Sequence, residues 1–180
     1  MNLKGSKTEK NLYKTFAGES RARNKYTFYS DKAKEDGFMW VGEIFQETAS
    51  NELAHAREVF RRYLQKLSTT KNNLIEAALG ETEESQVIYK EFETIARDEG
   101  FDEIADFYKE LQEVEEFHKE RFLELAKKIK EDKMFKSDKK SLWQCLNCGY
   151  IYEGTEVPDK CPLCKYPRSY FKPLNDLNCK

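Results

Sequence analysis

The chain has 180 residues, 36% of them charged, with a formal net charge of −2 and a mean hydropathy of −0.85. That length suits one helical domain with a small second module, and charge so nearly balanced is solvated surface rather than the one-signed field that nucleic acid requires. The start from Met1 to Lys10 is too polar for a signal peptide and no apolar run approaches the roughly 18 residues of a membrane span, so the expectation is a soluble, cytoplasmic protein binding neither membrane nor nucleic acid.

Ser6 followed by Glu9 is a capping-box pattern, and no proline interrupts the chain from Lys7 to Asp36, which predicts one long first helix. Its inner stripe runs Leu12, Thr15, Glu19, Ala22, Tyr26, Tyr29, Ala33, with a carboxylate at a core step. Gly18 costs about 1 kcal/mol relative to alanine in a helix, which marks close packing or tolerated slack. Glu35-Asp36-Gly37-Phe38 reads as a helix end with glycine as the left-handed cap, and the second helix is expected to reach about Leu67 with Val41, Phe45, Thr48, Glu52, His55 and Val59 on one stripe. Ser68 to Asn73 is a polar break. A third helix is expected from about Leu74 to Glu99, with Ala77, Glu81, Glu84, Ile88, Phe92 and Ile95 inward and Gly80 interrupting its first turns. Asp98-Glu99-Gly100-Phe101 repeats the earlier cap, and a fourth helix runs to about Lys130 with Ile104, Tyr108, Leu111, Phe122, Leu125 and Ile129 on its stripe.

The chain's only two histidines each follow a glutamate by three residues, as Glu52-Leu53-Ala54-His55 and Glu115-Glu116-Phe117-His118. On a helix that spacing sets carboxylate and imidazole on one face, and both pairs occupy steps where the stripe calls for a core residue. A carboxylate buried there costs several kcal/mol unless it is neutralised or paired, and a bound cation removes the cost. The hairpins repeat: Glu52 lies 15 residues after Gly37 and Glu115 lies 15 after Gly100. Glu19 precedes the first glycine by 18 residues, and Glu81 and Glu84 precede the second by 19 and 16, so all five glutamates lie about 22 to 29 Å from their hairpin tips. Five carboxylates and two neutral imidazoles exceed what one divalent ion balances. Two iron ions straddle that charge in their two oxidation states. Zinc or magnesium pairs satisfy the ligands without redox work, and manganese is compatible.

Lys130 to Ser141 reads as a hydrophilic linker. Beyond it, Cys145-Leu146-Asn147-Cys148 and Cys161-Pro162-Leu163-Cys164 form two Cys-x-x-Cys knuckles in a segment too short for a stable core without a staple. Spacing alone admits a structural zinc ribbon as readily as an iron site. Cys179 is left over as a free tail thiol.

These residues together resemble the rubrerythrin family: Glu19, Glu52-x-x-His55, Glu81-x-x-Glu84 and Glu115-x-x-His118, then Cys145-x-x-Cys148-Gly149-Tyr150, Val157-Pro158-Asp159-Lys160-Cys161-Pro162-x-Cys164 and Tyr170-Phe171. The resemblance implies an all-α ferritin-like four-helix bundle over residues 1–137 and a small C-terminal rubredoxin-like β/knuckle domain over 138–180. It implies one iron held by Cys145, Cys148, Cys161 and Cys164, and a di-iron centre bridged by Glu52 and Glu115. In that centre Glu19 is a terminal ligand of one iron, Glu81 and His118 serve the other, and Glu84 and His55 alternate as ligands of the first. Tyr26 and Tyr89 match hydroxyls that orient ligating carboxylates, although ordinary core aromatics read much the same. The activity implied is a non-haem peroxidase of oxidative-stress defence, reducing hydrogen peroxide to water with electrons passed through the rubredoxin-type iron from an NAD(P)H-dependent reductase or rubredoxin. His118 stands roughly 17 Å before its helix ends, which with the resemblance favours a head-to-tail homodimer that shortens the electron path. A ferroxidase or iron-storage protein of the same class is the alternative, and a zinc-stabilised interaction protein without turnover is a third.

Overall fold

The computed structural model describes residues 3–174, so the expectation for Cys179 lies outside the described residues. The chain divides into two compact units, Met1–Ser68 and Thr69–Lys180. Among the described residues no helix is long and apolar enough to cross a membrane.

The first unit is a helical hairpin of α1, Lys7–Glu35, and α2, Met39–Glu58, the latter continued by a π-helical turn, Val59–Tyr63. Ser6 caps α1, its hydroxyl accepting from the Glu9 amide at 3.0 Å, while the Glu9 carboxylate accepts from the Gly5 amide at 2.6 Å. The predicted capping box therefore closes one residue further out. The second unit opens with α3, Thr70–Glu83, then a π-helical turn, Glu84–Ile88, and α4, Tyr89–Asp98, which returns as α5, Asp102–Lys130.

The two hairpin tips are the same object. Gly37 (φ 87°) and Gly100 (φ 83°) take the left-handed conformation; the Phe38 amide donates to the Ala33 carbonyl at 2.8 Å and the Phe101 amide to the Ala96 carbonyl at 2.8 Å. This is the paired C-cap that glycine permits and other residues resist. Behind each tip an equivalent aromatic triad packs, Tyr26, Tyr29 and Phe45 in one hairpin and Tyr89, Phe92 and Tyr108 in the other, with centroids 5.4–6.4 Å apart. The helix seams are lined by small buried residues, Ala33, Gly42, Ala49 and Ala56 in the first unit and Ala78, Ala96, Ala105 and Ala126 in the second, which let the backbones approach closely.

Four expectations need correction. The second helix does not run as α-helix to Leu67, because the π turn from Val59 ends it at Tyr63. The third begins at Thr70 rather than Leu74: Thr69 is a side-chain cap, its hydroxyl accepting from the Asn72 amide at 3.3 Å, so the polar run starts a helix instead of delaying one. Gly80 interrupts nothing; the break in regularity comes at Glu84. Stripe residues Val41, Phe92, Ile95 and Ile104 are more than 40% exposed, since a two-helix hairpin has a single seam and cannot cover the whole breadth of an apolar stripe.

The C-terminal sheet has order β2-β1-β3, from β1, Lys136–Cys145, β2, Ile151–Glu156, and β3, Phe171–Pro173, all antiparallel. Residues read as linker are thus partly strand, Lys136 pairing with Glu156 and Ser141 with Gly154 across an irregularity. Trp143, Cys145, Val157, Cys161 and Phe171 make its buried core, and the Trp143 indole donates to the Gly154 carbonyl at 3.0 Å. A core this small depends on what the cysteines bind.

The glycines give opposite predictions. Gly37→Ala and Gly100→Ala each cost about 1–2 kcal/mol, the penalty of a left-handed alanine. Gly18→Ala and Gly80→Ala, helical and with nothing within 4 Å of an added Cβ, each add up to about 1 kcal/mol. Thermal melts of the four variants moving in one direction would refute this assignment.

Candidate metal centre

Each hairpin gathers three of the predicted donors. In the first unit α1 supplies Glu19 and α2 supplies Glu52 and His55, with ligand atoms all within 4.8 Å of one another. His55 Nδ1 stands 2.9 Å from Glu52 Oε2 and 3.6 Å from Glu19 Oε2. In the second unit α3 supplies Glu81 and α5 supplies Glu115 and His118, again within 4.8 Å. His118 Nδ1 stands 2.8 Å from Glu115 Oε2 and 3.9 Å from Glu81 Oε1. The carboxylates are well covered, Glu52 at 17% and Glu115 at 13% side-chain exposure, whereas His55 at 61% lies at the edge of its group.

Crowding shows in the protonation of these groups. A hydrogen bond shared with Glu52, aided by partial burial, raises the pKa of Glu19, and the same bond holds Glu52 low. His55 is raised, chiefly by its hydrogen bond to Glu52. Glu81 is raised by desolvation first and by Glu115 next. Adjacent carboxylates that must share a proton suit a cation, which replaces the proton and satisfies several oxygens at once. The oxygen-rich, imidazole-containing donor sets fit iron.

Glu84 and the two tyrosines stand apart from these triads. Glu84 opens the π turn, and Tyr89 Oη donates to its Oε2 at 3.3 Å; burial and the Glu84 charge raise the Tyr89 pKa. Among the described residues Tyr26 meets Tyr29 and Phe45 as an aromatic neighbour.

The cysteines form the third group. Cys145 Sγ and Cys164 Sγ lie 3.7 Å apart, as do Cys148 Sγ and Cys161 Sγ, and all four fall within 4.8 Å with no disulfide. The two knuckles have matching backbones: Cys145 and Cys161 amides donate to the Tyr150 and Tyr166 carbonyls, and Gly149 and Lys165 amides return to the Cys145 and Cys161 carbonyls. Gly149 (φ 76°) and Lys165 (φ 62°) occupy equivalent left-handed positions. The Tyr166 amide, with Asn147 and the other thiols, draws Cys164 down to about 6. The Tyr150 amide acts likewise on Cys148, but burial and the neighbouring thiols outweigh it and leave that group at about 12. Four sulfurs this close deprotonate together only around a metal. These amide donors had no signal in the sequence beyond the Cys-x-x-Cys-Gly pattern itself.

A family model described as rubrerythrin matches residues 10–126, and one described as the rubrerythrin rubredoxin-like domain matches residues 143–172. Rubrerythrin-1 of Clostridium acetobutylicum is 43% identical over 97% of this chain and 98% of its own length. The chain belongs to the rubrerythrin family. The rubrerythrin of Nitratidesulfovibrio vulgaris is 42% identical over 96% of this chain and 97% of its own, and a solved structure of nigerythrin in a partially reduced state aligns over 95% of this chain and 90% of that one at 28% identity, with a TM-score of 0.37. As a member of the rubrerythrin family the chain combines a di-iron domain, with carboxylate and histidine ligand groups, and a four-cysteine rubredoxin-like site, the equipment of an oxidoreductase of oxidative-stress defence.

The raised groups fix a sign. In the metal-free chain Glu19, Glu81 and His55 bind protons more tightly folded than unfolded, so their contribution is present below the unfolded pKa values and is lost as pH rises through the folded ones. As pH rises above the ordinary carboxylate range, Glu19→Gln with Glu81→Gln should flatten the fall in the melting temperature of the metal-free chain. Iron reverses the slope, because ligation needs deprotonated donors. Calorimetry showing the same slope in the double variant would remove these groups from the account.

Proposed function

We propose that this rubrerythrin-family chain is a non-haem di-iron peroxidase that reduces hydrogen peroxide to water, drawing electrons through its own four-cysteine iron. The observation that carries the reading is the pairing of two equivalent Glu/Glu-x-x-His triads with a tetrathiolate site in one chain. Peroxide needs two electrons and two protons to become two waters, and iron supplies the two-electron site and the one-electron relay when bound.

The chain's own residues have distinct tasks. Glu52 and Glu115, the most enclosed carboxylates of their triads, would be shared by both metal positions. Glu19 would hold one position, and Glu81 with His118 the other. His55 and Glu84 would be the alternative donors to the first. Their placement supports that role, since His55 is largely exposed and Glu84 stands outside the second triad under the Tyr89 hydroxyl. Trading a neutral imidazole for a carboxylate adds a negative, harder donor where positive charge grows on oxidation. Tyr89, kept protonated by burial, orients Glu84, and Tyr26 takes the corresponding place in the first hairpin.

In this reading residues 1–137 form the di-iron part and 138–180 the relay. Electrons come from an NAD(P)H-dependent reductase or rubredoxin in the cytoplasm, and a head-to-tail homodimer brings relay and di-iron centre together.

The test mixes anaerobically reduced, iron-loaded protein with peroxide and follows the tetrathiolate chromophore by stopped flow. Rapid reoxidation is expected. Tyr89→Phe should slow it by about 10-fold at unchanged iron content, and Cys161→Ser should abolish the chromophore while leaving the di-iron spectrum. Reoxidation no faster than with dioxygen, or a shell-sized particle that accumulates iron, would favour the ferroxidase alternative.

A further inference from the structure

On the first unit, between α1 and α2, lies a cleft of about 410 Å³ walled by Phe16, Leu53, Phe60 and Leu67. Phe16 and Phe60 meet across it with ring centroids 5.1 Å apart. The size is that of a small-molecule pocket. Three arginines, Arg23, Arg57 and Arg61, are among its lining residues, together with Asn24 and Ser20, and no acidic residue is.

The chain carries 33 acidic residues against 31 basic ones, and three of its other arginines do meet carboxylates: Arg62 meets Glu58 at 4.0 Å, Arg97 lies within 3.5 Å of Glu93, Asp102 and Asp106, and Arg168 lies 3.1 Å from Glu156. Among the described residues none of the three cleft arginines makes an ion pair. Arg61 and Phe60 sit in the π turn Val59–Tyr63, closed by the Leu64 amide donating to the Val59 carbonyl at 2.9 Å. Such turns are rare and concentrate at functional sites.

We propose that this cleft binds an amphipathic organic anion, a single carboxylate head on an apolar tail, with the tail between Phe16, Leu53, Phe60 and Leu67 and the head among Arg23, Arg57 and Arg61. Guanidinium binds carboxylate through paired, charge-assisted hydrogen bonds, whereas an uncharged apolar ligand leaves three cations facing it. The walls and the rim therefore each exclude half of the possible ligands, and only a molecule with both properties meets both.

The probe is dodecanoate below its micellar concentration, titrated calorimetrically into the full iron-loaded chain. Dodecyltrimethylammonium, with the same tail and opposite charge, and acetate, with the same head and no tail, are the controls. Saturable one-to-one binding of dodecanoate alone is expected, weakening with added salt and by about tenfold or more in Arg57→Gln with Arg61→Gln, the loss that follows when charge-assisted hydrogen bonds are removed. Both arginines are exposed and outside the metal ligands, so circular dichroism and iron content should be unchanged. Equal binding of the two amphiphiles, unaltered affinity in the double variant, or no binding overturns the proposal. If sedimentation then shows that the double variant dissociates an oligomer, a second copy of the chain occupies the cleft instead. Peroxide turnover is not the readout, so this proposal and the peroxidase reading fail separately.

Discussion

Like charges brought close inside helix pairs are the constraint on which the rest of this structure depends. Glu19 beside Glu52, and Glu81 beside Glu115, lie where solvent is mostly excluded and where each pair must share a proton if nothing else neutralises it. Helix geometry makes the crowding unavoidable: a stripe position on one helix and a Glu-x-x-His step on its neighbour converge once the seam between them is closed by alanine and glycine. Small residues at the seam and acids beside it work as one design. Larger seam residues would part the helices and pull the donors out of reach of a common ion.

The four-cysteine module solves a related problem by other means. Its core is a tryptophan, a valine, a phenylalanine and two of the metal-binding cysteines, too little apolar surface to offset the entropy of ordering a three-stranded sheet. Matching knuckles turn each Cys-x-x-Cys pair so that backbone amides face the sulfurs, which favours thiolate and draws Cys164 down to about 6, while burial and the crowded thiols push Cys148 up to about 12. Both modules thus hold groups that oppose one another until a cation arrives, by carboxylate pairs in one and thiols in the other. Folding and metal binding are linked in each.

Much of this was legible in the residues and the rest has a physical reason for being hidden. Gly37 and Gly100 announced the tips because no other residue takes φ near +85° cheaply, and the Glu-x-x-His and Cys-x-x-Cys steps announced donor groups that the fold gathers, because their spacing is the helix or knuckle repeat itself. The two π turns were not legible, since Val59–Tyr63 and Glu84–Ile88 contain ordinary helix formers and a π turn depends on tertiary register rather than composition. Thr69 was lost in a polar run that looked like a breaker. Exposure of Val41, Phe92 and Ile104 was not legible either, because a periodic stripe states which face is apolar and not how broad a neighbour covers it.

The second π turn also resolves an irregularity in the repeat. Glu19 lies 18 residues before its tip glycine and Glu81 lies 19 before the other, a mismatch that would rotate one carboxylate by about 100° on a regular helix and away from its partners. The turn at Glu84–Ile88 absorbs one residue, so Glu81 returns to the position of Glu19 while everything on the tip side, from Tyr89 to Gly100, stays in step with Tyr26 to Gly37. Glu84 then falls three residues beyond Glu81, where the first hairpin has Ala22, and becomes the one carboxylate with no counterpart. Two nearly equivalent triads are thereby made unequal by a single extra residue and a single extra acid.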